Sequence, residues 1–169
     1  GVHFSSRHRP ILNMKPKNGT WAFNADTHIT AWLETREEGF DVLTDEDLHN
    51  EGYEALQDYR VVITGTHPEY WSTDMLDSFT DWLEHGGRLM YMGGNGFYWR
   101  IAYHPEDSGI IEVRRSEDGV RAWIAAEGEY YHQFTGEYGG LWRRLGRPPN
   151  QLVGVGFAAQ GFDGGTYYR

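Results

Sequence analysis

The chain has 169 residues, 25 Asp and Glu against 15 Lys and Arg for a net charge of −10, eight His and no Cys. That length fits one domain with a core large enough to fold without staples, and the missing cysteine excludes disulfides, thiolate metal cages and a thiol nucleophile. The acidic balance without a dense basic stretch excludes a nucleic-acid partner, and apolar runs of five residues or fewer, against the roughly 20 that a bilayer span needs, exclude a membrane-inserted helix.

Residues 1–25 carry little periodicity and read as an irregular lead-in punctuated by Pro10, Pro16 and Asn18-Gly19. The first residues hold neither a basic leader nor an apolar export core, and with cysteine absent a cytoplasmic location is expected. A start without Met points to a piece of a larger chain. Asp26 reads as the N-cap of a helix from Thr27 to about Glu38, with Ile29, Trp32 and Leu33 on one face and Gly39 as its stop. Phe40 to Thr44 reads as a strand, followed by a polar segment and a helical turn near Tyr53 to Gln57.

Val61-Val62-Ile63-Thr64 is a β-branched run suited to a strand covered on both faces, hence to a parallel sheet. Ser72 can cap a helix from Thr73 to His85 whose Leu76, Phe79, Trp82 and Leu83 share a face, and Arg88 to Met92 forms the next strand. Two strands joined by a helix run parallel with a right-handed crossover. Later, Ile110 to Arg114 and Val120 to Trp123 flank Asp118-Gly119, a hairpin signal. Gly128 to Pro149 reads as a long glycine- and aromatic-rich loop, and Leu152 to Phe157 as a last buried strand. The sum is one α/β domain without internal boundary: an open three-layer sheet, mostly parallel, with an added β-hairpin.

In open α/β sheets ligands bind beyond the carboxyl ends of the strands, which directs attention to two loops, Gly65-Thr66-His67-Pro68-Glu69-Tyr70-Trp71 and Gly93-Gly94-Asn95-Gly96-Phe97-Tyr98-Trp99. If the strands are neighbours, His67, Glu69 and Asn95 meet at one sheet edge. An imidazole and a carboxylate two residues apart on an extended backbone point the same way and can serve as metal ligands or as a base and its orienting partner. The plain alternative is a proline-shaped turn, with Glu69 capping the next helix. The glycine-rich second loop matches no P-loop or dinucleotide fingerprint, so nucleotide phosphate is not expected. His132 is the best extra ligand from afar, and no Gly-x-Ser-x-Gly elbow is present. The 26 aromatic residues suit a core, and are compatible with a small organic ligand.

Taken together, Asp41 to His49, Thr64 to Trp71, Gly93 to Phe97, Gly140 to Arg143, Leu152 to Phe157 and Gln160 to Asp163 resemble the carboxy-terminal domain of the N,N-dimethylformamidase large (beta) subunit family, over nearly the whole chain from Trp21. The resemblance implies a glutamine-amidotransferase-like, flavodoxin-like α/β domain without its thiol, from a mononuclear-iron amidohydrolase of small N-substituted formamides. Its metal is held by two tyrosines and one glutamate. By position in the His-Pro-Glu-Tyr-Trp block, Glu69 matches the metal ligand, His67 a neighbouring catalytic residue and Asn95 a pocket asparagine. Implied partners are a small-molecule amide, the remainder of the parent polypeptide, a small subunit and further copies of the chain. The ligand tyrosines have no counterparts: Arg9-Pro10 is followed by Ile11. Two other readings stand beside this one: a metal-free sugar- or partner-binding domain, and a metal held by His67, Glu69 and His132.

Overall fold

The computed structural model describes residues 3–11, 14, 23–115 and 126–157. In chain order these form β1 (Phe4–Ser6), α1 (Phe23–Thr35), α2 (Asp45–Glu51) continued by a 3-10 turn (Gly52–Ala55), β2 (Val61–Ile63), β3 (Tyr70–Trp71), α3 (Thr73–Glu84) and β4 (Arg88–Met90). There follow β5 (Trp99–His104), β6 (Asp107–Val113), β7 (Gly140–Leu141), a second 3-10 turn (Trp142–Leu145) and α4 (Pro149–Val153).

Helix α3 is the clearest product of its sequence. Ser72 has an extended backbone and its hydroxyl accepts a hydrogen bond from Met75 N at 3.2 Å, satisfying one of the donors that a helix start leaves open. Met75, Leu76, Phe79 and Trp82 recur at helical spacing and are all buried. They meet the aromatic rings of Trp71 and Phe97, with Phe79 at 5.3 Å and 5.8 Å from those two and Trp71 at 4.6 Å from Phe97, centroid to centroid. Helix α2 is started by Thr44 in a capping box with Asp47.

Two sheets result. β1, β6, β5 and β3 lie side by side, with β7 also on β5. Only β3 with β5 is parallel here; the other pairings are antiparallel. β2 and β4 form a separate parallel pair, Val61 opposite Arg88 and Ile63 opposite Met90. The parallel pairing of these two strands around α3 agrees with the sequence reading, whereas the expected open, mostly parallel three-layer sheet of glutamine-amidotransferase-like or flavodoxin-like form is overturned by this mixed arrangement.

The reasons are local. Phe40 to Thr44 does not join a sheet: Val42 is 69 % exposed, and Thr44 is taken by the α2 cap. Leu152 to Phe157 is no strand either, because Pro149 occupies a first-turn position, where its fixed φ favours a helix, and Leu152 and Val153 complete α4. Ile111 to Val113 pairs instead with β5 across the Pro105-Glu106 turn, and Ile110 to Glu112 with β1. The Asp118-Gly119 hairpin lies outside the described residues. Val61 and Met90 are exposed, so the β2–β4 pair is not covered on both faces. Helix α1 begins at Phe23, which puts Asp26 inside its first turn rather than before it, and Trp32 is exposed. Among the described residues no helix is long and apolar enough to cross a membrane.

Phe79 is 1 % exposed at the centre of the aromatic cluster. Phe79→Ala is expected to cost about 3–5 kcal/mol, from lost transfer energy plus the cavity left behind, read as a lowered urea midpoint with an unchanged slope.

Candidate functional site

The loops after β2 and β4 are joined backbone to backbone. Gly94 N donates to Thr66 O at 3.0 Å, Phe97 N to Pro68 O at 2.8 Å, and Tyr98 N and Trp99 N both to Glu69 O at 3.0 and 2.8 Å. Thr64 adds a side-chain link, its hydroxyl accepting from Met92 N at 2.9 Å. Gly93 permits this approach: a Cβ there would lie 2.4 Å from Pro68 Cδ, 2.8 Å from Gly65 O and 2.9 Å from Thr66 O, closer than any side chain tolerates.

Two residues of the second loop have left-handed backbone, Asn95 at φ 56° and Phe97 at φ 54°. Asn tolerates that region, but for a ring as large as Phe it costs on the order of 1–3 kcal/mol. What offsets the cost is the burial of Phe97, 1 % exposed, among Trp71, Phe79 and Tyr91, together with its bond to Pro68 O.

The chain thus brings together the three residues singled out in the sequence. Asn95 Nδ2 donates to Glu69 Oε1 at 3.1 Å, and His67 Nδ1 lies 3.1 Å from the same oxygen. All three are half-buried. An ionised carboxylate only accepts, so the contact assigns a proton to Nδ1 and, in the neutral ring, leaves the lone pair on Nε2. The arrangement can hold a carboxylate in fixed orientation and present an imidazole of defined tautomer. Neither of two clefts, about 360 Å³ around Tyr53, Trp82 and Arg88 and about 390 Å³ around Arg9, Tyr103 and Ser108, includes these residues.

The donor set for a metal is incomplete. Among the described residues no three His, Cys, Asp or Glu side chains gather at one point. Two tyrosines near the loops have hydrogen-bond partners: Arg115 Nη2 donates to Tyr70 OH at 3.3 Å, and Tyr91 OH accepts from Gly96 N at 2.8 Å. Glu69 and His67 alone do not fit a site of two tyrosines and one glutamate.

His132 is not part of this group. It is 1 % exposed, and neither ring nitrogen has a hydrogen-bond partner among the described residues. Burial pushes its pKa down to about 4, with Glu112 and Glu137 pulling it back up and Arg100 and Arg114 pushing it further down. Those neighbours form their own pairs. Arg114 Nε donates to Glu112 at 2.6 Å, the Arg100 guanidinium donates to Glu137, and Glu112 also accepts from Gln133 N and Phe134 N at 3.0 Å. Two other histidines have structural surroundings: His49 Nδ1 meets Ser72 Oγ at 2.9 Å and stacks on Tyr103, and His85 closes α3.

One residue of the site escaped sequence reasoning. Asp26, on α1, accepts from Thr66 N at 2.6 Å and from Thr66 Oγ1 at 2.8 Å, gripping the residue before His67. An acidic residue at a helix start signals a cap, and nothing in its spacing announces a partner 40 residues on.

Fold and site together define a mixed α/β scaffold that carries a carboxylate, an imidazole and a carboxamide on two joined strand-end loops. Over residues 1–169 the sequence matches the family described as N,N-dimethylformamidase beta subunit-like, C-terminal, and the chain belongs to that family. It is 40 % identical over 173 residues to the N,N-dimethylformamidase beta subunits of Paracoccus aminophilus and of an Alcaligenes species, covering 99 % of this chain and 23 % of each relative. The chain therefore spans about a quarter of the length of the curated relatives it matches.

Gly93→Ala is expected to cost about 1–3 kcal/mol by overpacking and to speed amide exchange at Gly94 and Phe97, checked by urea unfolding and hydrogen exchange. His132 gives a pH dependence. Its folded pKa lies below the ordinary 6.5, so between about 6.5 and 4 the unfolded chain binds more protons than the native one. Stability from this group is complete above 6.5 and falls as pH drops towards 4, by about 3 kcal/mol in all. His132→Phe should remove that part of the slope in denaturant titrations across the interval.

Proposed function

We propose that the chain is the part of an amide hydrolase of small N-substituted formamides that supplies Glu69, His67 and Asn95 to the reacting centre. The observation that carries this reading is the convergence of Asn95 and His67 on one oxygen of Glu69, in a chain of the N,N-dimethylformamidase beta subunit-like family. Asn95 fixes the carboxylate by donating to it, and the bond at Nδ1 turns the His67 ring so that Nε2 can take a proton from water or give one to a departing amine. A second N–H of Asn95 is available in the amide group to orient a substrate oxygen. Iron belongs to the same proposal, with Glu69 as this chain's ligand. The remaining donors come from outside the described residues.

A small subunit, the rest of a longer polypeptide and further copies of the chain are the proposed partners, and the cytoplasm the proposed location. The incomplete donor set favours one other reading, a non-catalytic domain that binds a sugar or a protein partner. Amine release from N,N-dimethylformamide by the full-length protein separates the two. Glu69→Gln is expected to reduce the rate by about 100-fold, and Glu69→Ala to lower bound iron measured by elemental analysis. Release undiminished in Glu69→Gln removes Glu69 from the reaction, and iron content unchanged in Glu69→Ala removes it from the metal.

A further inference from the structure

Helix α1 has no fully buried residue; its Ala25, Ile29 and Leu33 are half-buried. Its tie to the strand-end loops is polar. Asp26 is half-buried in the first helical turn. Its Oδ1 takes two hydrogen bonds from one residue, Thr66 N at 2.6 Å and Thr66 Oγ1 at 2.8 Å. The carboxylate also lies flat against the preceding backbone, since a Cβ on Gly65 would come within 3.0–3.2 Å of its atoms. On its other side Thr66 offers its carbonyl to Gly94 N at 3.0 Å. Thr66 is thus held between α1 and the second loop, one residue before His67 and three before Glu69.

From this geometry we infer that Asp26 is a positioning residue for the Glu69, His67 and Asn95 centre, clamping the first loop through Thr66 so that both side chains meet Asn95. The inference rests on the function proposed above for that centre. Asp26 has its hydrogen bonds with Thr66, and acts through the backbone that carries two of the three. Without it Thr66 N loses its acceptor in a half-buried position, which favours loosening of the loop towards water. The contact needs an oxygen at the Oδ1 position, and an asparagine provides one with a neutral group.

The test uses the full-length protein with Asp26→Ala and Asp26→Asn, read by amine release from N,N-dimethylformamide and by amide hydrogen exchange. In Asp26→Ala, kcat is expected to fall about tenfold or more with KM within about twofold, while Gly94, Phe97 and Tyr98 amides exchange about tenfold faster and those of α3 are unchanged. Asp26→Asn, which keeps an acceptor oxygen with two lone pairs, should restore both readouts to within about twofold of the wild type. Thr66→Val, which removes one of the two bonds and leaves α1 intact, serves if the alanine variant fails to fold, and should show the same changes at about threefold. Exchange and kcat in Asp26→Ala within about twofold of the wild type overturn the inference, as does an asparagine variant damaged as much as the alanine one. A wild-type protein that releases no amine overturns the proposed function instead, and the exchange measurement then decides the clamp alone.

Discussion

Four backbone hydrogen bonds from the second strand-end loop onto the first hold the centre of this molecule in place. The buried or half-buried amides of Phe97, Tyr98 and Trp99 need acceptors, and the carbonyls of Pro68 and Glu69 provide them, while that of Thr66 takes the exposed Gly94. The side chains follow from that backbone. Once Glu69 and Asn95 are fixed across the seam, their polar ends meet without long or flexible linkage, and the left-handed turn at Phe97 is the geometric condition for the seam to close. Its energy comes from the aromatic core beneath, which ties the strength of the α3 packing to the shape of the polar centre above it.

What could be read from the sequence was whatever depends on neighbours a few residues away. Ser72, the apolar spacing of α3 and the β-branched run before it all act within one turn or one strand, and they formed as their spacing implied. Phe40 to Thr44 and Leu152 to Phe157 carry the same short-range apolar signal, yet a strand exists only where another strand offers its backbone. Neither segment has one among the described residues, and local alternatives, a capping box at Thr44 and a helical start at Pro149, took them. Short apolar runs do not separate buried strand from helix or coil, and that ambiguity accounts for the overturned parallel sheet.

The site was legible in a different way. His67, Glu69 and Asn95 follow two strands whose parallel pairing the intervening helix implied, and the strand-end rule needed nothing further to put them together. Asp26 was not legible because its meaning lies in a tertiary contact made by a residue type with an ordinary helical explanation. His132 stands out by its chemistry, but its surroundings of two ion pairs, with no hydrogen-bond partner among the described residues, belong to packing that spacing does not encode.

The segment near the end of the described chain braces the loops made much earlier. Trp142 N donates to Tyr98 O at 2.9 Å, and its indole donates to the carbonyl of Trp71, 71 residues back along the chain. β7 pairs with the start of β5 beside the same loop. During synthesis, at roughly 5–20 residues per second, the seam therefore emerges from the ribosome several seconds before its brace. In that interval the strained Phe97 turn has its contacts with Trp71, Phe79, Tyr91 and Pro68, but Tyr98 and Trp71 still lack the donors that Trp142 brings to their carbonyls.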